Sequence, residues 1–470
     1  MSITQKKILL LNVLFIIYSV IIYAQKPVAL EAFLRKKNLA HAAVSFKAVD
    51  LSNGKTIASF NAKTALIPAS NMKIVTTATI LDTLGGGFRF RTPLTYDGEI
   101  RDGVLKGNLY LKGSGDPTLG SEFMIGDKEN FLRDCLIALR AAGIKSIEGD
   151  VVVLDQLFGY DGVYPTWLVE DVGSYYAPGI YGVSIFDNTY RIYLQSYQPE
   201  TLVKIRSIYP KIPGLQFTNE LKSSKIGSDR SRIFGLSSSF EKRLSGTIPA
   251  NRSSFVIKGS IPDPGLFLAD YLQTFLTNHY IEITGKATTF RFAQKLPEND
   301  RTITVIRSPP LAAIARETNV KSNNHYAEHL YKKLLTFKDF NYSDYWERRG
   351  LAGASLLMDD GSGLSPTNAV SADFLTAILI YMYKKDGTVG AFYQSLPIAG
   401  KEGTVTPFLK KTPLEGKARL KSGSIAHVQS YSGYVEKGKK RYAFSLIVNN
   451  FSGKRAELRE AMEKLLVDLF

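Results

Sequence analysis

The two ends of this sequence read alike and its middle reads differently, which constrains the fold more than any single motif. A helical stretch at 28–39 is followed by strand-like runs at 42–49 and 56–61, joined by the turn Leu51-Ser52-Asn53-Gly54. The far end mirrors that order, with strand-like runs at 431–436 and 442–449 and then an amphipathic helix over 456–470. From about 88 to 293 the texture is short alternating runs, such as Val151-Val152-Val153-Leu154 and Arg191-Ile192-Tyr193-Leu194, punctuated by Gly, Pro and Asn, with a helix at 266–278. Helices return at 311–317 and 324–335. The pattern predicts one α/β domain built from both termini, residues 25–88 with 295–470, its antiparallel sheet flanked by helices. Residues 89–294 then form a β-rich insertion with room for two subdomains.

A chain of 470 residues that is 44% hydrophobic and 22% charged is neither a disordered tail nor a low-complexity filament. Its formal charge of +16 invites nucleic acid or an anionic surface as partner. The amino end decides between them. Lys6 and Lys7 precede an apolar run over 8–23, broken only by Asn12 and Ser19, and Tyr23-Ala24-Gln25 offers a small residue for cleavage after Ala24. Residues 1–24 therefore read as a signal peptide, with an uncleaved membrane anchor as the alternative because the run approaches a membrane span in length. A chain exported to the periplasm or cell envelope meets no DNA or RNA. Losing Lys6 and Lys7 takes the charge from +16 to +14, which suits association with an anionic envelope. The one cysteine, Cys135, lies in an apolar helical stretch, so a buried thiol is expected rather than redox chemistry or zinc ligation.

Three short motifs carry chemistry. Ser70-Asn71-Met72-Lys73 opens a predicted helix over 72–84, apolar on one side and stopped by Gly85-Gly86-Gly87. One helical turn places both side chains on the same face, where a desolvated, neutral lysine can take the serine proton. The helix amino end favours the negative charge that develops there. Taken alone the pattern is weak: Ser52-x-x-Lys55 and Ser239-x-x-Lys242 match it too, and Ser70 by itself reads better as a plain helix cap. Ser322-Asn323-Asn324 stands just before a helix, although Ser59-Phe60-Asn61 has the same spacing. Lys421-Ser422-Gly423-Ser424 supplies a cation, two hydroxyls and a glycine that would let substrate lie close to a strand, a combination suited to a carboxylate. A rival is His325-Tyr326-Ala327-Glu328-His329, which sets two imidazoles at the spacing of a zinc peptidase. Gly113-Ser114-Gly115 and Gly361-Ser362-Gly363 lack a phosphate-loop lysine and read as turns.

In this order the three motifs resemble those of the active-site serine penicillin-recognising enzymes. Four further stretches narrow the likeness: Gly113-Ser114-Gly115-Asp116-Pro117-Thr118-Leu119, Ser245-Gly246-Thr247-Ile248-Pro249, Ser308-Pro309-Pro310-Leu311 and Asp360-Gly361-Ser362-Gly363-Leu364-Ser365. With them the chain resembles the D-alanyl-D-alanine carboxypeptidase/endopeptidases of the penicillin-binding protein 4 type, peptidase family S13. The resemblance implies a penicillin-recognising serine transpeptidase/β-lactamase-like α/β fold. It also implies hydrolysis of peptidoglycan stem peptides or cross-links through a seryl acyl-enzyme, and binding of β-lactams, with no metal and no cofactor.

Residue by residue, the resemblance implies Ser70 as nucleophile, Lys73 as base for acylation, Ser322 as proton relay and Asn324 as holder of the peptide. Lys421, Ser422 and Ser424 would engage the terminal carboxylate, and the backbone N–H groups of Ser70 and Ser424 would form the oxyanion hole. Asp171, with Glu170 beside it, would meet the amine of the stem's diamino acid. Ser422 stands where the family commonly has threonine and keeps the hydroxyl. Pro366 stands where relatives can carry an arginine for the diamino acid's carboxylate, so that carboxylate either goes unrecognised here or is met by another cation. The alternatives are a β-lactamase on the same scaffold, a zinc peptidase through His325, Glu328 and His329, and a catalytically silent wall-binding protein.

Overall fold

Two strands from the amino end and three from the carboxyl end hydrogen-bond into one antiparallel sheet. The structure, a computed structural model, describes residues 27–470, so the signal peptide expected over 1–24 lies outside the described residues. Across the sheet the strands run Thr56–Phe60, Ala43–Asp50, Lys440–Asn449, Val428–Lys437 and Ala418–Ile425, and the last, which carries Lys421, is an edge. Alternation along the strands sends Val44, Phe46, Ala48, Phe444, Leu446 and Val448 to one face and Ala443 and Ile447 to the other. The first face is covered by the helices Val28–Leu34 and Arg455–Leu469, through Leu30, Phe33, Leu458, Met462 and Leu465. Helices Met72–Leu84, Leu311–Val320, Asn324–Leu335 and Ala372–Asp386 build the layer on the second face. With both faces covered, the strand Val428–Lys437 is buried along its first eight residues.

The chain leaves and re-enters this domain along two neighbouring strands. Arg91–Tyr96 pairs antiparallel with Arg301–Arg307 in a five-stranded mixed sheet with Leu109–Lys112, Val151–Leu154 and Ala287–Thr289. Helices Asn130–Ala141 and Pro264–Asn278 pack against that sheet, and smaller sheets built on Thr189–Gln195 and Glu241–Pro249 complete the middle. One apolar core runs through the whole region, from Leu94 to Ile306. Cys135 lies in it with no exposed surface, and burial pushes its thiol up to about 12, so it is inert.

Two helices differ from the sequence expectation. Met72–Leu84, expected to be apolar on one side, is buried continuously over 72–81, because the helices Leu311–Val320, Asn324–Leu335, Ala372–Asp386 and Ala391–Ser395 pack around it. Its threonines tolerate this by donating to carbonyls: Thr77 to Lys73 at 2.6 Å, Thr79 to Val75 at 2.6 Å and Thr76 to Gly361 at 2.6 Å. Ala372–Asp386 is absent from the sequence reading, since its apolar residues run too densely to show a 3.6-residue period. Only its start is marked, by Ser371 accepting from the Phe374 amide at 3.1 Å.

The helical layer is tied together by one buried carboxylate. Asp82 has 1% of its side chain exposed and accepts from Tyr345 Oη at 2.5 Å, Arg349 Nε at 2.8 Å and Lys385 Nζ. Burial pushes its carboxyl up, but the hydrogen bonds from Lys385, Tyr345 and Arg349 outweigh this and hold it below the usual range. Asp82→Ala is expected to cost about 2 kcal/mol at pH 7 in urea unfolding, because Tyr345 and the partly exposed Arg349 and Lys385 lose their shared buried acceptor. A carboxyl depressed in the folded state contributes fully above its unfolded value near pH 4 and loses that contribution as pH falls through the folded one. The gap between wild type and variant should therefore narrow below about pH 4.

Candidate active site

Ser70 sits in a tight turn, Ala69–Asn71, that feeds directly into Met72–Leu84. Ala69 is held at φ +48°, a left-handed conformation that a residue with a Cβ adopts at a cost of ~1–3 kcal/mol. The neighbours impose it. Ser430 Oγ donates to Pro68 O at 2.6 Å, and Asn71 Nδ2 donates to Ser432 Oγ at 2.9 Å, pinning the turn to the sheet. No side-chain cap bond forms at this helix end, and the Ser70 hydroxyl is engaged by Lys73 instead. Its serine is therefore not a plain cap.

Lys73 is fully buried and its ammonium has three oxygen partners: Ser70 Oγ at 3.0 Å, Asn324 Oδ1 at 2.6 Å and Ser362 O at 2.7 Å. No carboxylate lies within ion-pair distance of it among the described residues. Burial brings its pKa down to about 7, against the upward pull of the Glu328 and Asp360 charges. Those two acids shape the loop that supplies the third partner. Glu328 accepts from the Gly361 and Ser362 amides at 2.9 and 2.8 Å, and Asp360 accepts from the Gly363 and Ser365 amides at 2.7 and 2.6 Å. Gly363 is forced, since a Cβ there would lie 1.9 Å from Ala69 O. Burial, reinforced by Asp360, pushes Glu328 up to about 8.

A second lysine faces this group. Lys421, also fully buried, donates to Ser322 Oγ at 2.8 Å and to Ser422 O at 2.7 Å, and burial together with the charge of Lys73 pulls its pKa well down. Ser322 occupies a left-handed turn at φ +54° between two helices, and Asn323 caps the second helix by accepting from the Tyr326 amide at 3.1 Å. Gly423 has a different reason from the expected one. A Cβ there would lie 2.3 Å from Pro68 O and 2.9 Å from Asn71 N, so it admits the nucleophile turn rather than the substrate. Ser422 Oγ meets Thr404 Oγ1 at 2.8 Å, and Ser424 Oγ is met by the guanidinium of Arg455.

The middle region closes the other side. Asn324 Nδ2 donates to Tyr176 O at 2.8 Å, so both ends of the amide expected to hold the peptide are occupied by protein groups. Beyond Tyr176 opens a cavity of about 550 Å³ lined by Glu170, Asp171, Asp229, Arg232 and Lys258 among others. Asp171 lies there, not at Ser70; it accepts from Tyr176 Oη at 2.9 Å, and burial and Glu170 raise its pKa. The region is bolted to the Asn324 helix by Tyr326 Oη to Ser121 Oγ at 2.6 Å, by His325 Nε2 with Ser184 Oγ at 2.7 Å and by His329 Nδ1 to Gly115 O at 3.0 Å.

The zinc reading finds no support here. Both oxygens of Glu328 hold loop amides, and among the described residues no cluster of three or more acidic, His or Cys side chains is placed to hold a metal. The decoy motifs do not assemble either. Ser52 Oγ donates to Asp50 at 2.6 Å while Lys55 is exposed, and Lys242 bonds Leu236 O. Sequence reasoning missed Ser430, Ser432, Thr404 and Arg455 and gave Glu328 no role outside the rival zinc motif. The alternation of Ser430 and Ser432 within a fully buried strand was a legible sign of a polar stripe facing the turn.

The sequence model of the D-Ala-D-Ala carboxypeptidase 3 (S13) family matches residues 27–469. Over 462 residues the chain is 24% identical to the D-alanyl-D-alanine carboxypeptidase DacB of Haemophilus influenzae, with 91% of each chain covered. It is 25% identical over 474 residues to the D-alanyl-D-alanine carboxypeptidase of Actinomadura sp. strain R39, covering 90% of this chain and 81% of that one. The crystal structure of penicillin binding protein 4 from Haemophilus influenzae superposes with a TM-score of 0.80 at 22% identity, covering 94% of this chain and 98% of that one. The fold is thus that of penicillin binding protein 4, as expected from the motifs.

The close approach at Gly423 gives a direct test of the geometry. Gly423→Ala should displace the Ser70 turn and slow acylation by a fluorescent penicillin by at least ~100-fold, with the far-UV circular dichroism of the wild type retained. Acylation at the wild-type rate would mean that the turn does not depend on this contact.

Proposed function

The chain belongs to the D-Ala-D-Ala carboxypeptidase S13 family and is a serine-type D-Ala-D-Ala carboxypeptidase, and from that premise we propose that Ser70 is its nucleophile and that it acts on peptidoglycan stem peptides and cross-links. The observation that carries the assignment is the 3.0 Å bond between Ser70 Oγ and a lysine whose burial brings it close to neutrality at physiological pH. Ser70 Oγ attacks the carbonyl before the terminal D-alanine and passes its proton to Lys73 Nζ. The backbone N–H groups of Ser70 and Ser424 receive the oxyanion. Ser322 accepts a hydrogen bond from Lys421, which leaves its own proton free to be delivered to the departing amine. The ester of Ser70 is then hydrolysed by water, which frees the enzyme and releases the shortened peptide.

Pro397 and Ala399 cover the edge of the strand Ala418–Ile425 as far as Leu420, and the edge beyond, at 421–425, supports an extended substrate added alongside as a further strand. Its hydroxyls at Ser422 and Ser424 serve the terminal carboxylate, Asn324 holds the peptide by exchanging its bond to Tyr176 O for one to the substrate, and Asp171, in the cavity past Tyr176, serves the side-chain amine of the stem. A β-lactam mimics the same bond and acylates Ser70. On this reading the catalytic domain comprises 25–88 with 295–470 and the insertion 89–294. The pairing of Arg91–Tyr96 with Arg301–Arg307 supports counting 295–307 with the insertion instead, which leaves 308–470 to the catalytic domain. Export through residues 1–24 takes the enzyme to the periplasm or envelope, where its excess of Lys and Arg favours the anionic surface. Among the described residues no helix is long and apolar enough to cross a membrane.

Treatment of the purified protein with labelled penicillin should leave a single adduct, mapping to the peptide that contains Ser70, and none in Ser70→Ala. Because the base is the neutral form of Lys73, kcat/KM on an acyl-D-Ala-D-Ala peptide should rise with pH along a limb centred near 7. Lys73→Arg should lose at least ~100-fold, since a guanidinium stays charged. An adduct on another residue, or a limb centred near 10, would refute the assignment.

A further inference from the structure

Lys421, the cation that the motif offers to the substrate's carboxylate, points inward. It is fully buried and its ammonium is spent on Ser322 Oγ and Ser422 O. The hydroxyls that do face the open strand edge therefore need a positive charge from elsewhere, and one stands beside Ser424. Arg455 is the first residue of the helix Arg455–Leu469. Its Nη1 donates to Ser424 Oγ, to Val428 O at 2.7 Å and to Gln429 Oε1 at 3.1 Å, and its Nη2 donates to Ile425 O at 2.7 Å. The guanidinium thus clasps both strands of the hairpin that carries the Lys-Ser-Gly motif, with its carbon 5.6 Å above the Phe451 ring.

Two features set this arginine apart from a structural clasp. Among the described residues it has no carboxylate partner, whereas Arg316, Arg349 and Arg441 of the same domain each pair with one, to Glu402, Asp82 and Glu436. Its charge is therefore not neutralised. Second, it fixes the direction of a hydroxyl. A serine Oγ has one proton and two lone pairs. Arg455 fills a lone pair of Ser424, and no described residue accepts the Ser424 proton, although the side chain is exposed at the sheet's open edge.

We propose that Arg455 is the positioning residue for the substrate's free terminal carboxylate, turning the Ser424 hydroxyl proton toward the cleft and supplying the positive charge beside it. This rests on the proposed function, and it names the cation that makes the enzyme selective for a free chain end. No bond is made or broken in the role.

The test compares diacetyl-Lys-D-Ala-D-Ala with its C-terminal amide, which differs only in that charge. In Arg455→Ala, KM for the acid should rise about tenfold, the size of one charge-assisted hydrogen bond, while kcat stays within about twofold. The affinity of the amide, read as its inhibition constant against acylation by a fluorescent penicillin and so independent of its turnover, should change less than about twofold. Arg455→Lys should restore KM to within about threefold by keeping the charge. Equal losses for acid and amide, a fall in kcat at constant KM, or no change would each overturn the assignment of Arg455. Failure of wild-type Ser70 to be acylated would instead overturn the underlying function.

Discussion

Everything at this site depends on one unfavourable burial. Lys73 has no exposed surface and no ion pair, only three neutral oxygens around its ammonium. Shifting a lysine from an ordinary 10.5 to about 7 corresponds to ~5 kcal/mol of lost preference for the charged form. In water the same lysine would hold its proton and Ser70 would be an ordinary alcohol. The surrounding structure keeps water out and at the same time denies the lysine a carboxylate. Glu328 and Asp360 are close enough to oppose the shift, but their oxygens are occupied by the amides of the loop at 360–365. What reaches Lys73 from that loop is a carbonyl, which can accept a hydrogen bond without stabilising the charge as an anion would.

Holding this arrangement requires elements far apart in the chain. The nucleophile turn comes from the amino end, the proton relay and the amide from the helices after the insertion, and Lys421 from the last sheet. Close approach is what fixes them to one another. Gly363 lets the acidic loop pass Ala69, Gly423 lets the edge strand pass Pro68, and the left-handed turns at Ala69 and Ser322 follow from the same crowding. The insertion is part of the device rather than an appendage. Its contacts through Ser121, Ser184, Gly115 and Tyr176 hold the helix that begins at Asn324.

Much of this was legible in the sequence, and the parts that were not have physical reasons. The shared domain built from both ends followed from texture, because half of each strand faces a helical layer and the rest of the pattern repeats at either terminus. Ser70, Lys73, Ser322 and Lys421 were picked out because three individually weak motifs, in that order, resemble those of the penicillin-recognising enzymes. The helix Ala372–Asp386 was not, since apolar residues at Ala377, Ile380 and Tyr381 also occupy its half-exposed side and mask the period. The part played by Glu328 was not legible, because only its tertiary partners, the Gly361 and Ser362 amides, reveal a loop clamp. Arg455 carries no motif at all. Its meaning arises from a hairpin 30 residues earlier in the chain.

The central claim is that Lys73 is held near neutrality by burial, and its titration can be observed without reference to any substrate. Protein labelled with ¹³C at lysine Cε, with the Lys73 resonance assigned by its loss in Lys73→Arg, should show that one signal titrating with a midpoint near 7. A midpoint near the ordinary lysine value of 10.5 would contradict the account.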